Sequence, residues 1–228
     1  MIFVVDAGAA RQALAGGLLH CPGESCGGVL RPWATARPRR VRVPGGGQAD
    51  VRPDRARCAA CGHTQVLLRA WCVPRRSCSA DVIGAALLAK AHGLGHRRIA
   101  ELVQVPAATV RDWLRGLARG AAGLTGQAVT VAAGADLLPD RSRGSELAGT
   151  LAALGAAARW FARSTLLCPP LPALTGVDYL GLLAARHRNE LEQRLRIADP
   201  GQRLPALPPW HVVNLITAGH LLTTAPDG

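Results

Sequence analysis

Apolar and polar positions change period along the chain, and those changes mark out its elements. Residues 2–6, "IFVVD", read as a short strand, and "AARQALAGGLL" as a short helix leading into Cys21. From 29 to 69 the pattern is β-like. "VLRPWA", "RPRRVRV", "DVRPDRARC" and "HTQVLLR" are short runs separated by Pro and Gly, with "PGGGQ" at 44–48 as the hairpin turn. Helical spacing takes over after "PRRSCSAD". In 81–93, Val82, Ile83, Ala86, Leu87 and Lys90 recur at helical intervals, Ser79 or Asp81 can start the helix, and Gly93 and Gly95 break it. Residues 96–104 predict a second short helix with Ile99, Leu102 and Val103 on one face. Residues 105–120 predict a third, with Pro106 in its first turn and an apolar stripe of Val110, Trp113, Leu114 and Leu117.

The remainder is also helical in pattern. An Ala/Gly-rich stretch from 120 ends in "PDRSRGS", the best candidate for a linker. A helix over 145–166 is stopped by "CPPLP", another covers about 176–197, and an apolar segment lies at 208–222. The expected fold class is α+β, mostly α: a small β zinc ribbon, a three-helix helix-turn-helix domain and a C-terminal helical region. The corresponding divisions are 1–78, 79–120, a linker or helix extension at 121–144, and 145–228. The C-terminal helices are expected to bury Leu151, Leu154, Trp160, Phe161, Leu180 and Leu183, and to offer a surface for self-association.

Charge changes the picture next. Arginines and one lysine, Lys90, total 27 against 15 carboxylates, and 228 residues allow one or two domains. Residues 1–119 hold 18 of the basic and 7 of the acidic side chains, so nearly all the excess lies in the N-terminal half. A positive field concentrated in this way calls for a polyanionic partner, and nucleic acid is the commonest. Arg37, Arg39, Arg40, Arg42, Arg52, Arg55 and Arg57 place much of it on the predicted strands.

The cysteines supply the chemistry. "CPGESC" (21–26) and "CAAC" (58–61) are two turns, each followed by Gly, which lets backbone amides approach the thiolates. Cys21, Cys26, Cys58 and Cys61 therefore make a four-thiolate set for structural Zn2+, with no position left open for water. His20, His63, Cys72 and Cys78 are the alternative ligands. His63 directly follows "CG", and Cys72 and Cys78 lack a turn signature and read as buried thiols. A ribbon of about 50 residues has too small a core to stand alone. Metal binding coupled to folding supplies roughly 10–16 kcal/mol, so removal of the metal is expected to unfold it.

The helices at 96–103 and 106–118 form a pair of the kind that reads the DNA major groove. Ile99, Ala100, Val103, Val105, Val110 and Trp113 are expected to form its interior, and Ala107, Ala108, Thr109, Arg111, Asp112 and Arg115 lie on or near the outer face of the second helix. Arg111 or Arg115 is suited to a bidentate bond with guanine, and Ala or Thr to a thymine methyl. Arg97 and Arg98 are suited to phosphate. Gln104 stands where the usual turn has glycine.

These stretches, "CPxxxCGGxLRPW", "RPRRVRV", "RARCAACGHTQVLL" and "VIGAALLAKAHGLGHRRIAELVQVPAATVRDWLR", resemble an uncharacterised family of actinobacterial zinc-ribbon plus helix-turn-helix proteins. That family is itself similar to the N-terminal DNA-binding modules of insertion-sequence transposases. The resemblance covers about residues 20–118 and implies zinc on the four cysteines and DNA reading by the helix at 106–118. A transposase also needs spaced carboxylates for two metal ions. The later acidic residues, such as Asp136, Asp178, Glu190 and Glu192, fall in linker or on charged helix faces. The expected function is thus non-enzymatic: a transcriptional regulator or transposase-derived DNA-binding protein, cytoplasmic and nucleoid-associated. Its partner is double-stranded DNA, with no membrane and no small-molecule substrate evident. Three alternatives remain open: a nucleic-acid enzyme with an unrecognised carboxylate site, a zinc-ribbon scaffold for protein, and RNA binding through the arginine-bearing strands.

Overall fold

The computed structural model describes residues 1–4, 6–23, 25–133, 145–167, 209–217, 219 and 222. It is a mixed α and β structure divided into two compact units. The helix expected at about 176–197, and with it Leu180 and Leu183, lies outside the described residues.

The first unit takes in 1–39 and 50–70. Its sheet contains β1 (Ile2–Val4), β2 (Leu30–Thr35), β5 (Asp54–Cys58) and β6 (Thr64–Arg69) in the order β1-β6-β5-β2. The last three are antiparallel, as short strands joined by tight turns must be. β1 instead runs parallel to β6, with Ile2 opposite Leu67 and Val4 opposite Arg69. The parallel pairing requires a crossover, and α1 (Ala7–Ala15) begins it, capped by the Asp6 carboxylate on the Ala9 amide. Ala10, Ala13 and Leu14 of α1 share one core cluster with Ile2, Val4, Leu30, Ala56 and Leu67. On the polar side of α1, Arg11 reaches Asp54 at 2.7 Å. The cysteine turns therefore sit on a four-stranded sheet with its own helix.

The second unit takes in 40–49, 71–164 and 207–228. β3 (Arg39–Arg42) and β4 (Gln48–Val51) form a separate two-stranded sheet around the turn at Pro44–Gly46. Arg42 binds the segment before α2 through its amide to Ser77 O and its carbonyl to the Ser79 amide. α2 (Ala80–Ala91) starts at Ser79, whose hydroxyl accepts from the Val82 amide, while Asp81 lies in its first turn. α3 (His96–Val103) and α4 (Ala107–Ala133) follow. α4 carries the Ala/Gly-rich stretch onward as helix to residue 133, well beyond the apolar stripe that predicts its start.

Ile83, Leu87, Ile99, Val110, Trp113 and Leu117 are fully or almost fully buried at the centre of this unit. Leu102 departs from the sequence pattern. It is 62% exposed, while Ala100, expected in the interior of the helix pair, is buried along with Ile99 and Val103. α5 (Glu146–Leu167) buries Leu151 and Leu154, and Thr150 meets Thr125 of α4 at 2.8 Å. α6 (Pro209–Ile216) lays Trp210 against Gly84 of α2, where an added Cβ would run into the indole ring. His211 also bonds Asp81 at 2.8 Å, and buried Asn214 donates to Cys72 O at 3.1 Å. Among the described residues no helix is long and apolar enough to cross a membrane.

Candidate metal centre

Two unlike turns bring four sulfurs together. In the second pair, the Cys58 amide donates to His63 O and the Gly62 amide to Cys58 O, closing a tight turn at the head of the β5–β6 hairpin. Gly62 takes φ +73°, a backbone that non-glycine residues reach only with strain. The first pair has four residues inside instead of two. Its loop is held at the neck: His20 bridges Val29, and the Cys21 amide donates to Gly28 O at 2.7 Å. Gly27 takes φ +54°, the counterpart of Gly62. The extra residues are thus absorbed inside a closed loop, and both cysteines still point to one place.

The result is compact. The ligand atoms of Cys21, Cys26, Cys58 and Cys61 all lie within 4.8 Å of one another. Cys21 and Cys61 are 3.7 Å apart and Cys26 and Cys58 3.5 Å, so each close pair joins one turn to the other. The four can hold a metal ion. Cys21 and Cys58 are buried in the core cluster, Cys26 is partly buried and Cys61 exposed, giving the centre an apolar floor and an open rim.

Electrostatics within the cluster is uneven. The Cys58 thiol is pulled down to about 6, first by the Cys61 amide, which donates to its sulfur at 3.5 Å. Burial pushes Cys21 up to about 12. Cys26 is drawn down by the Gly28 amide, but the neighbouring Cys61 and Cys58 sulfurs raise it on balance. Four thiolates at this spacing repel one another unless a cation joins them, and amide donors can satisfy only part of that charge.

One residue of this centre escapes a reading based on ligand spacing. A Cβ on Gly28 would lie 2.7 Å from Ala60 Cβ and 2.8 Å from Cys58 Sγ, so glycine is what lets the two turns meet. The signal for it is the doubled glycine of "CGG" after Cys26.

No family model, curated protein or solved structure matches the chain.

Among the described residues, none of the alternative ligands belongs to the four-cysteine group. His63 is exposed and contributes its carbonyl to the Cys58 turn. Cys72 and Cys78 belong to the second unit, are buried, and pair through their backbones with Ser79 and Arg42. Burial pushes the Cys78 thiol up, as expected of an inert core cysteine.

In the second unit, the residues marked for DNA fall on α3 and α4. Ala108, Arg111, Asp112 and Arg115 are exposed at helical spacing on one stripe of α4, with Ala107 and Thr109 half-buried at its start. Behind that stripe Val110 and Trp113 are buried, as are Ile99 and Val103 of α3, the helix that packs against α4. Arg97 and Arg98 are exposed on α3, and Arg98 forms a 3.1 Å ion pair with Glu101, both side chains in solvent. Gln104 ends α3 at φ 53°, ψ 45°, the left-handed conformation that glycine usually supplies in such a turn. The adjoining Val105 is buried and donates to Ala100 O.

Proposed function

We propose that the chain is a duplex-DNA-binding protein stabilised by a structural zinc ion on Cys21, Cys26, Cys58 and Cys61. The donor set supports zinc. Four thiolates are its preferred structural environment, and tetrahedral bonds of about 2.3 Å space the sulfurs about 3.8 Å apart. The close pairs at 3.5 and 3.7 Å come near that spacing. All four positions are then protein ligands, which suits a structural ion better than a catalytic one.

The observation that carries DNA binding is the exposed stripe of α4. Its N-terminal half offers Ala108, Arg111 and Arg115 to solvent, while α3 packs against its inner side. Guanidinium groups at this spacing suit base edges, and small neighbours let the helix approach them closely. In this reading α3 and α4 act as a helix-turn-helix pair and Arg97 adds a phosphate contact. The arginine-bearing strands add sequence-independent affinity. The role that follows is a regulator or a transposase-derived DNA-binding protein without a catalytic domain.

The test is selection of bound duplexes from a random pool with metal-replete protein, followed by a salt titration of the best binder. Affinity should fall with a log–log slope of about −0.9 for each neutralised phosphate. Arg111→Ala should relax sequence preference at one position and weaken the selected site by about 1–3 kcal/mol. Absence of any selected consensus, together with salt-independent binding, rejects the reading.

A further inference from the structure

The first unit carries a second surface that duplex reading by α4 does not use. β2 lies at the edge of the sheet, and its Trp33 is 55% exposed, whereas Trp113 of the other unit is 2% exposed. Exposure of an indole in a strand forfeits a large apolar burial, so a ring left in solvent and held in place is a contact waiting for a partner. Trp33 is held. The Arg57 guanidinium lies 4.7 Å from its ring centroid, and Arg57 Nε is itself tied to Gly62 O at 3.3 Å. Arg31 stands directly opposite Arg57 across the β2–β5 pair. Next to the ring is an open groove lined by Arg31, Pro32, Trp33 and Arg57 on one side and the Cys58–Gly62 turn on the other.

The chemistry of this groove selects its occupant. It offers a flat aromatic surface and two exposed guanidinium groups, and no carboxylate lines it. Asp54, the acidic residue of β5, is paired with Arg11 of α1 instead. A planar, weakly polar group flanked by phosphate satisfies both features at once. Bases in a duplex keep their faces stacked on one another, so only an unpaired nucleotide can present its face to the indole. DNA is the polymer that the reading of α4 already gives this chain, so the unpaired strand is taken to be DNA on the strength of that reading.

We propose that the Trp33–Arg57 groove binds single-stranded DNA, stacking an unpaired base on Trp33 while Arg31 and Arg57 take the flanking phosphates. This goes beyond duplex binding by α4 and uses different residues. A protein with both surfaces would bind duplex and single-stranded DNA through separate sites.

The experiment uses the full metal-replete chain. Fluorescence anisotropy with a labelled oligothymidylate, an oligouridylate and a hairpin duplex gives three affinities for wild type, Trp33→Ala and Trp33→Phe. Loss of one base stack weakens single-strand binding about 5- to 150-fold. Trp33→Ala should show that loss for oligothymidylate, Trp33→Phe should restore most of it, and duplex affinity should be unchanged in both. Photo-cross-linking of a bromodeoxyuridine oligonucleotide to wild-type protein, mapped by mass spectrometry, should place the adduct on the peptide containing Trp33. That arm stands even if Trp33→Ala does not fold. Equal affinity of Trp33→Ala and wild type for oligothymidylate, or a cross-link confined to other peptides, overturns the proposal. Tighter binding of oligouridylate than of oligothymidylate assigns the groove to RNA and overturns it as well. Failure of duplex binding alone counts against the α4 reading and leaves this one standing.

Discussion

Gly28→Ala is the sharpest probe of the cysteine centre, because a single methyl group is placed between its two halves. The new Cβ would lie 2.7 Å from Ala60 Cβ and 2.8 Å from Cys58 Sγ. Carbon atoms pack best at about 3.5–4.0 Å, so the turns must separate by roughly 1 Å. Neither neighbour is the free end of a long side chain. One is the Cβ of a turn residue and the other a buried sulfur, so the backbone has to move. Overpacking of this kind costs about 1–3 kcal/mol. If the strain falls on the metal-bound state, affinity for the ion drops about 5- to 150-fold. The adjacent Gly27 gives the control. It has φ +54° and open space within 4 Å of where a Cβ would stand, so Gly27→Asn meets no neighbour and adopts a backbone that Asn tolerates. Competition against a chromophoric chelator measures the metal affinity, and thermal unfolding the stability. Gly28→Ala should lose both, with Tm lower by about 4–8 °C per kcal/mol in a domain of this size. Gly27→Asn should stay near wild type. Wild-type metal affinity and Tm in Gly28→Ala would refute the contact between the two turns, and with it the shared centre.

Three further outcomes test the rest of the structure. Removing the metal with a strong chelator should abolish amide protection in β5 and β6 while helical circular dichroism from α2 to α4 persists. A core this small supplies about 3–5 kcal/mol, less than the roughly 10–16 kcal/mol of coupled metal binding. Unchanged exchange at Leu67 and Leu68 would count against that. Gly84→Ala places a methyl inside the Trp210 ring and should detach α6 at a cost of about 1–3 kcal/mol, seen as faster exchange over 213–216. Protection equal to wild type there would contradict the packing of α6 on α2. Gln104→Gly removes the strain of a left-handed glutamine, worth about 1–2 kcal/mol, partly offset by the greater freedom of glycine in the unfolded chain. A small rise in Tm is expected, and a fall would show that the Gln104 side chain, which abuts Gly46, contributes more than the strain costs.

How much of this was legible in the sequence depended on the range of the forces involved. The cysteine turns, the Ser79 cap and the helices over 80–91 and 96–103 are set by neighbours a few residues away, and local pattern finds them. The pairing of Ile2 with Leu67 spans most of the first unit and leaves no local trace, so "IFVVD" reads as a strand without a sheet. The length of α4 was hidden for another reason. Gly120, Gly123 and Gly126 look like helix breakers, but α4 runs through all three, and earlier in the helix a Cβ at Gly116 would collide with Leu222 O. That glycine is present for close approach within the fold. Leu102 misled in the opposite sense: its spacing from Ile99 and Val103 suggests a shared face, yet it faces solvent, and Ala100, expected in the interior of the helix pair, is the residue buried with them. At the centre itself the ligands were readable from spacing, while Gly28 and the Arg57–Trp33 contact depend on which strands lie side by side.

The two compact units are not consecutive lengths of chain. Residues 40–49 leave the first for the second, and 50–70 return before the chain departs again at 71. No single cut can therefore release either one intact. A fragment beginning at residue 79, where local pattern starts the helices, would forfeit the β3–β4 hairpin and the backbone bonds that Arg42 makes to Ser77 and Ser79. Recombination that treats the four-cysteine part as a detachable cassette would likewise sever the other unit. Heredity can exchange beads on a string, but this chain is stitched, and its halves have to be inherited together.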